Sequence, residues 1–301
     1  MNTFILAVDH RNSLRGWLAS LGVPSTETDA TARKLKSLCA EALAQARPQL
    51  HARETPMMLI DEEYGVDAIP AAKAQGLQVV IPAERSGQTE FMFEHGDDFG
   101  DAIERADPDA VKALVRYNPA ADAERNARSR MQLKRLQDHL RDSNRRFMLE
   151  LLVPATPEQA AQAGAGFDDA QRPQLAAEAI DQLAADGLRP DWWKLEGNND
   201  PDGAAIVAAA AATAAETGCL VLGRGQDRES VIRWVQIAAT TGGFVGFAVG
   251  RTLWTDPFTA LLRGEVDDRE AVNRIACAYL DIVSAYRSAS LPESSVPGSV
   301  G

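Results

Sequence analysis

The sequence predicts a single (β/α)8 TIM-type barrel, on three observations. Short apolar runs recur eight times along the 301 residues. They alternate with longer segments whose apolar positions fall at helical spacing. Neither a G-x-G-x-x-G turn after a strand nor a GxxxxGK[ST] loop marks the alternative, an open doubly wound sheet. The length also suits a barrel, for which about 250 residues is typical.

The eight predicted strands are 4–8 (FILAV), 57–60 (MMLI), 78–81 (QVVI), 111–117 (VKALVRY), 147–153 (FMLELLV), 191–196 (DWWKLE), 219–222 (CLVL) and 244–249 (FVGFAV). Helices are predicted at 28–46, 123–141, 173–185, 201–216, 228–240 and 268–286. Asp200 can cap the helix begun by Pro201, whose missing N–H is not needed in a first turn. There is no internal repeat. Residues 1–289 are assigned to the barrel; 290–301 (SLPESSVPGSVG) lack periodicity and are predicted to be a disordered tail.

Composition excludes several function classes. Hydrophobic residues make up 45% and charged ones 25%, as in ordinary globular proteins. With 43 acidic and 31 basic side chains the net charge is −12, which disfavours nucleic acid and anionic membrane as partners. No apolar run is long enough to span a bilayer, and the N-terminus reaches Asp9, His10 and Arg11 too soon for a signal peptide, so a cytoplasmic protein is expected. Cys39, Cys219 and Cys277 are widely spaced and predicted to be reduced, buried thiols.

In such a barrel the active site is built at the C-terminal ends of the strands, so polar residues inside apolar strands carry the functional signal. Four stand out: Asp9, Lys112, Glu150 and Lys194. Side-chain alternation puts Lys112 on a face with Leu114 and Arg116, Glu150 with Met148 and Leu152, and Lys194 with Trp192 and Glu196. A barrel salt bridge or a lysine at the solvent end is the alternative for each. A lone interior ammonium costs several kcal/mol, so inward lysines call for carboxylates, and Asp9, Glu150 and Glu196 are available. Burial and a second cation favour an unprotonated amine, which attacks a ketone to form a Schiff base. Cleaving the adjacent carbon–carbon bond then needs an acid and a base, roles that suit the carboxylates and the second lysine.

A second signal is for phosphate. Strand 7 runs into Gly223-Arg224-Gly225 and strand 8 into Gly250-Arg251, where barrels often bind this anion with backbone N–H groups and a helix N-terminus. Other features carry less. His10, His51, His95 and His139 are scattered without metal-binding spacing. The basic run from Arg125 to Arg146 is predicted to be a solvated helix face. Trp192 and Trp193 are predicted to pack one ring inside the barrel and one against the helices. Asp61, Glu62 and Glu63 line the pocket or lie exposed in a loop, and the long stretch 84–98 is a candidate cover for the mouth.

In order, LAVDHR, LIDEEYG, VKALVRYNP, FMLELLVPAT, DWWKLEG, VLGRGQD and FAVGRTLW resemble the barrel at the C-terminal half of bacterial 5-dehydro-2-deoxygluconokinase fusion proteins. That barrel is regarded as a 2-deoxy-5-keto-gluconate 6-phosphate aldolase of inositol catabolism, related to class I tagatose-1,6-bisphosphate and sulfofructose-phosphate aldolases. The resemblance implies Lys194 as the Schiff-base lysine, Glu150 as general acid/base, Lys112 and Asp9 as their partners, and Gly250 and Arg251 as phosphate ligands. Gly223-Arg224-Gly225 departs from the serine- and glycine-rich turn of the tagatose enzymes, and the kinase half is missing from these residues.

The expectation is therefore a class I aldolase needing neither metal nor cofactor. Lys194, Glu150, Lys112 and Asp9 are the expected catalytic residues, with Gly223, Arg224, Gly225, Gly250, Arg251, Arg116 and Glu196 binding substrate. Its partner would be a phosphorylated sugar or keto acid cleaved to dihydroxyacetone phosphate and malonic semialdehyde, with a homo-oligomer possible. A tagatose-bisphosphate or sulfofructose-phosphate type aldolase and a non-catalytic sugar-phosphate sensor are the alternatives.

Overall fold

The computed structural model describes residues 1–215 and 218–290. Its strands β1 (Asn2–Ala7), β2 (Glu54–Leu59), β3 (Gln78–Pro82), β4 (Ala110–Arg116), β5 (Arg146–Leu152), β6 (Trp192–Glu196), β7 (Gly218–Leu222) and β8 (Phe244–Val249) form a closed parallel barrel in chain order. The seam is β1 on β8, with Phe4 opposite Phe247. Outside lie α1 (Asn12–Ser20), α2 (Thr28–Ala46), α3 (Ala68–Ala74), α4 (Phe99–Ala106), α5 (Ala123–Asp142), α6 (Pro157–Ala163), α7 (Phe167–Ala170), α8 (Arg172–Ala185), α9 (Pro201–Ala212), α10 (Arg228–Thr240), α11 (Arg251–Leu262) and α12 (Asp268–Ser290).

Every predicted strand and helix is present; α2, α10 and β8 have the predicted bounds and the others have shifted ends. The helix expected to run to Glu216 stops at Ala212, and Glu216 itself lies outside the described residues. Ser290, assigned to the tail, is the last residue of α12; the rest of that tail also lies outside the described residues. The helices missed from sequence are short or carry helix breakers, such as Gly16 in α1 and Pro257 in α11. Among the described residues no helix is long and apolar enough to cross a membrane.

Alternation along the strands divides the core in two. Phe4, Met58, Val79, Val111, Leu149, Trp193, Val221 and Phe247 point outward and pack with the helices. Ile5, Ala7, Met57, Leu59, Val80, Ala110, Met148, Trp192, Leu220 and Ala248 fill the inside of the barrel. The two tryptophans therefore split as expected, and Trp193 Nε1 donates to the Ala214 carbonyl at 3.1 Å. Across the seam, α12 supplies Tyr279 and Tyr286, whose hydroxyls each donate at 3.0 Å, to the Phe4 and Phe244 carbonyls respectively. Cys39 and Cys219 are buried, but Cys277 is exposed, correcting its expected burial. Its neighbours Ala276 and Tyr279 occupy the packed face of α12, which leaves Cys277 on the other side.

Candidate active site

Two residues beyond Ala7, Ala110, Met148 and Trp192 of the inner cluster come Asp9, Lys112, Glu150 and Lys194, on the same inward face. They meet at the C-terminal mouth, in a cavity of about 740 Å³. Arg116, Glu196, Gly223, Arg224, Gly225, Gly250 and Arg251 line the same cavity, so the structure brings together every site residue expected from sequence.

The centre is a chain of charges. Lys112 Nζ lies 2.8 Å from Asp9 Oδ2, 2.5 Å from Glu84 Oε1 and 3.1 Å from Glu150 Oε2. Glu150 Oε2 is also 2.9 Å from Lys194 Nζ, its register partner across β5 and β6. One carboxylate oxygen is thus shared by two lysines. Burial alone would lower the Lys112 ammonium, but Asp9, Glu84 and Glu150 outweigh it and hold it well above the usual lysine range. Burial likewise opposes ionisation of Asp9 and Glu150, and the two lysines overcome it, keeping both carboxyls below their ordinary values. Glu84 goes the other way: burial, with repulsion from Asp9, raises it despite Lys112. Three carboxyl groups face two lysines, and Glu84 is the carboxyl that most readily keeps a proton.

Glu84 was missed as a site residue because the strand signal stops at Ile81, yet the period-two alternation through Val80 and Pro82 leads to it. It opens the long stretch expected to cover the mouth. That stretch folds back on itself through a Glu84–Phe93 bridge, and residues 84–91 line the cavity. Arg11, also missed, ties it to the β1 turn: one guanidinium nitrogen lies 2.7 Å from Glu94 Oε2 and another donates to the Glu84 carbonyl at 2.7 Å. Arg116 Nη1 donates to the Gln88 carbonyl at 2.8 Å from the other side. His10 lines the cavity edge-on to Trp254, and burial, against the pull of Asp9 and aided by Arg251, takes its imidazole down to about 4. Asp61 does not line the cavity; it is buried behind the wall, while Glu62 and Glu63 are more open.

On the opposite side lie the glycine turns. Gly250 is the N-cap of α11, where a Cβ would stand 2.2 Å from the Ala7 carbonyl oxygen, so only glycine lets β8 end so close to β1. Gly225 has φ +71°, and a Cβ there would meet the Arg251 guanidinium at 2.4 Å. Arg251 itself is exposed and donates to the Arg224 carbonyl at 3.0 Å. Arg224 points into the cavity wall, with Nη1 2.8 Å from Asp168 Oδ2 and Nε 3.1 Å from Glu196 Oε1. Glu196 also accepts from the Val153 N–H at 2.9 Å, which makes it a clamp on Arg224. Asp168 and buried Arg172, 3.3 Å apart, complete that network; they come from the β5–β6 connection, where sequence offered no strand alternation to follow.

Residues 1–290 match the model of a family described as "Uncharacterized protein conserved in bacteria (DUF2090)". The chain belongs to this family. No curated protein matches the DUF2090 chain in sequence. Among solved structures it is similar to a Schiff-base-forming fructose-1,6-bisphosphate aldolase, at 12% identity and a TM-score of 0.58 over 94% of each chain. It is also similar to the fructose-bisphosphate aldolase of Plasmodium falciparum in complex with TRAP and a small-molecule inhibitor, at 12% identity and a TM-score of 0.65 over 95% of this chain and 89% of that one. At that identity the likeness shows the DUF2090 chain's fold, a closed eight-stranded barrel with helices between the strands.

Proposed function

We propose that this protein is a class I aldolase acting on a phosphorylated ketose or keto acid, with Lys194 as the nucleophile. The observation that carries the reading is Glu150 Oε2 shared between Lys112 and Lys194. The two lysines divide the labour. Lys112 is enclosed by three carboxylates and stays cationic, so it orients and stabilises. Lys194 contacts Glu150 alone among these carboxylates and lines the cavity, which leaves its amine as the group a ketone meets.

Glu150, ionised at rest, takes a proton from Lys194, 2.9 Å away; the freed amine adds to the carbonyl carbon, Glu150 returns the proton to the departing oxygen, water leaves and an iminium forms. A carboxylate, Glu150 or Asp9, takes the proton from the substrate's β-hydroxyl. The bond between the α and β carbons breaks, its electron pair moves into the iminium, and an aldehyde departs. The resulting enamine takes a proton on carbon, and water hydrolyses the iminium to free the second product and Lys194. Similarity in fold to a Schiff-base-forming fructose-1,6-bisphosphate aldolase and to a second fructose-bisphosphate aldolase supports this reading.

For the substrate we propose 2-deoxy-5-keto-gluconate 6-phosphate, split into dihydroxyacetone phosphate and malonic semialdehyde. The sequence resemblance supports it, and so does the placement of cations. Arg251, with Gly225 and Gly250, offers an anion site at the β8 end, and Arg116 on β4 lines the opposite wall for a carboxylate. Borohydride with this substrate is expected to leave a reduced adduct on Lys194, with turnover surviving exhaustive chelation. An adduct on Lys112 would reverse the two lysines' roles, and tight binding of ketose phosphates without any adduct would make the barrel a sensor.

A further inference from the structure

The ion pair of Lys36 and Asp61 takes no part in the chemistry proposed above and does not line the cavity, yet both residues are almost wholly buried. Lys36 comes from α2 and Asp61 follows β2. Asp61 Oδ1 accepts from the Tyr64 N–H at 2.9 Å, and the Lys36 ammonium sits 5.5 Å over the Tyr64 ring. The ammonium also donates to the Val8 carbonyl at 2.7 Å and to the His10 carbonyl at 3.2 Å. Those two carbonyls flank Asp9.

A buried ion pair seldom stabilises a fold more than apolar side chains of the same volume would, because both charges lose their water. Stability alone therefore gives little reason for a lysine at position 36. What it grips is a weak point in the scaffold. The Val8 N–H still donates to the Leu59 carbonyl at 2.7 Å, after which the chain leaves the sheet, and Asp9 lies beyond the ladder. A reacting group displaced by ~1 Å can lose on the order of a hundredfold in rate.

We propose that Lys36, anchored by Asp61, is a positioning residue that clamps the backbone on both sides of Asp9 and so keeps the Asp9 carboxylate on Lys112 Nζ, 2.8 Å away. The proposal rests on the aldolase reading and extends it to a pair of residues outside the cavity. The clamp acts through Asp9, so its loss should matter only while Asp9 is a carboxylate.

The test is the near-isosteric pair Lys36→Met/Asp61→Asn in the full chain, which leaves no buried charge unpaired. With a ketose phosphate that the wild type cleaves, kcat is expected to fall roughly ten- to a hundredfold while KM stays within about twofold. The borohydride adduct on Lys194 still forms. Introduced into Asp9→Asn, the same pair is expected to change kcat by less than about threefold, since residues acting as a unit are not additive. A general loosening of the fold would lower kcat equally in both backgrounds; that result, or an unchanged kcat, overturns the proposal. Should the double variant not fold, Asp61→Asn alone keeps the Lys36 amine beside both carbonyls and removes its counter-charge. It is expected to give a smaller kcat loss, again absent in Asp9→Asn, and an equal loss in both backgrounds or no loss overturns the clamp. A wild type that forms no adduct with any ketose phosphate refutes the aldolase reading itself, and the proposal falls with it.

Discussion

Two layers of side chains fill the same barrel, one strand repeat apart, and they differ in kind. The lower layer, with Ile5, Met57, Val80, Met148, Trp192 and Leu220, is apolar throughout. The upper layer holds Asp9, Lys112, Glu150 and Lys194, all buried or nearly so, together with Glu84. An interior ammonium is tolerable only with partners at hydrogen-bond distance. Those partners come in part from segments past the strand ends: Asp9 follows β1 and Glu84 follows β3. The apolar side chains of the lower layer need no counter-charge, so it holds the barrel together while the upper layer is free to do chemistry.

Substitutions in the two layers should therefore fail differently. The largest effect is expected from Lys194→Met, with turnover down by roughly 10⁴-fold or more and the reduced adduct absent by mass spectrometry, in a protein that still folds. Glu150→Gln retains shape but not the proton shuttle, and steady-state kinetics should show turnover lower by roughly 10²–10⁴ with substrate still bound. Normal turnover in that variant would assign Glu150 to structure.

In the lower layer the signs reverse. Leu220 is fully buried, and Leu220→Ala should cost about 2–5 kcal/mol in urea unfolding while kcat per folded molecule stays within about twofold. A large kcat loss at unchanged stability would break the distinction between the layers.

The upper layer should also show in the pH dependence of stability. His10 is held near 4, below its ordinary 6.5, so the folded state disfavours its protonation. The stability this contributes is present above pH 6.5 and lost as pH falls from 6.5 through 4, by up to about 3 kcal/mol. Glu84, raised by burial, works in the opposite sense, gaining stability as pH falls, in wild type and variant alike. Unfolding free energies of His10→Asn should accordingly vary less than those of the wild type over that window, and parallel profiles would contradict the shift. A smaller effect is expected from Arg251→Ala, an exposed cation at the cavity rim: KM higher on the order of tenfold, equivalent to about 1.4 kcal/mol, with kcat little changed. Arg224→Ala should change KM less, because Asp168 and Glu196 already occupy its guanidinium.

The alternation of apolar strands with helical segments determined the barrel, because the period of two and the period of 3.6 are local properties that survive in any context. The same period set Lys112, Glu150 and Lys194 each on one face with the strand neighbours two residues away, and the glycines after strands 7 and 8 marked the turns where backbones approach; that those faces point inward is a property of the closed barrel. Tertiary structure alone decided which charges became neighbours. Nothing local in the sequence joins Lys36 to Asp61 or Arg11 to Glu94, and nothing in it shows that Arg224 turns to Asp168 and Glu196. Pairing depends on loop paths between distant segments, whereas the direction of a side chain on a strand depends only on its parity. Closure of β1 on β8 set the parity-defined residues in one ring, and the loops above it then determined that Lys112 is enclosed by three carboxylates while Lys194 touches only Glu150 of the three.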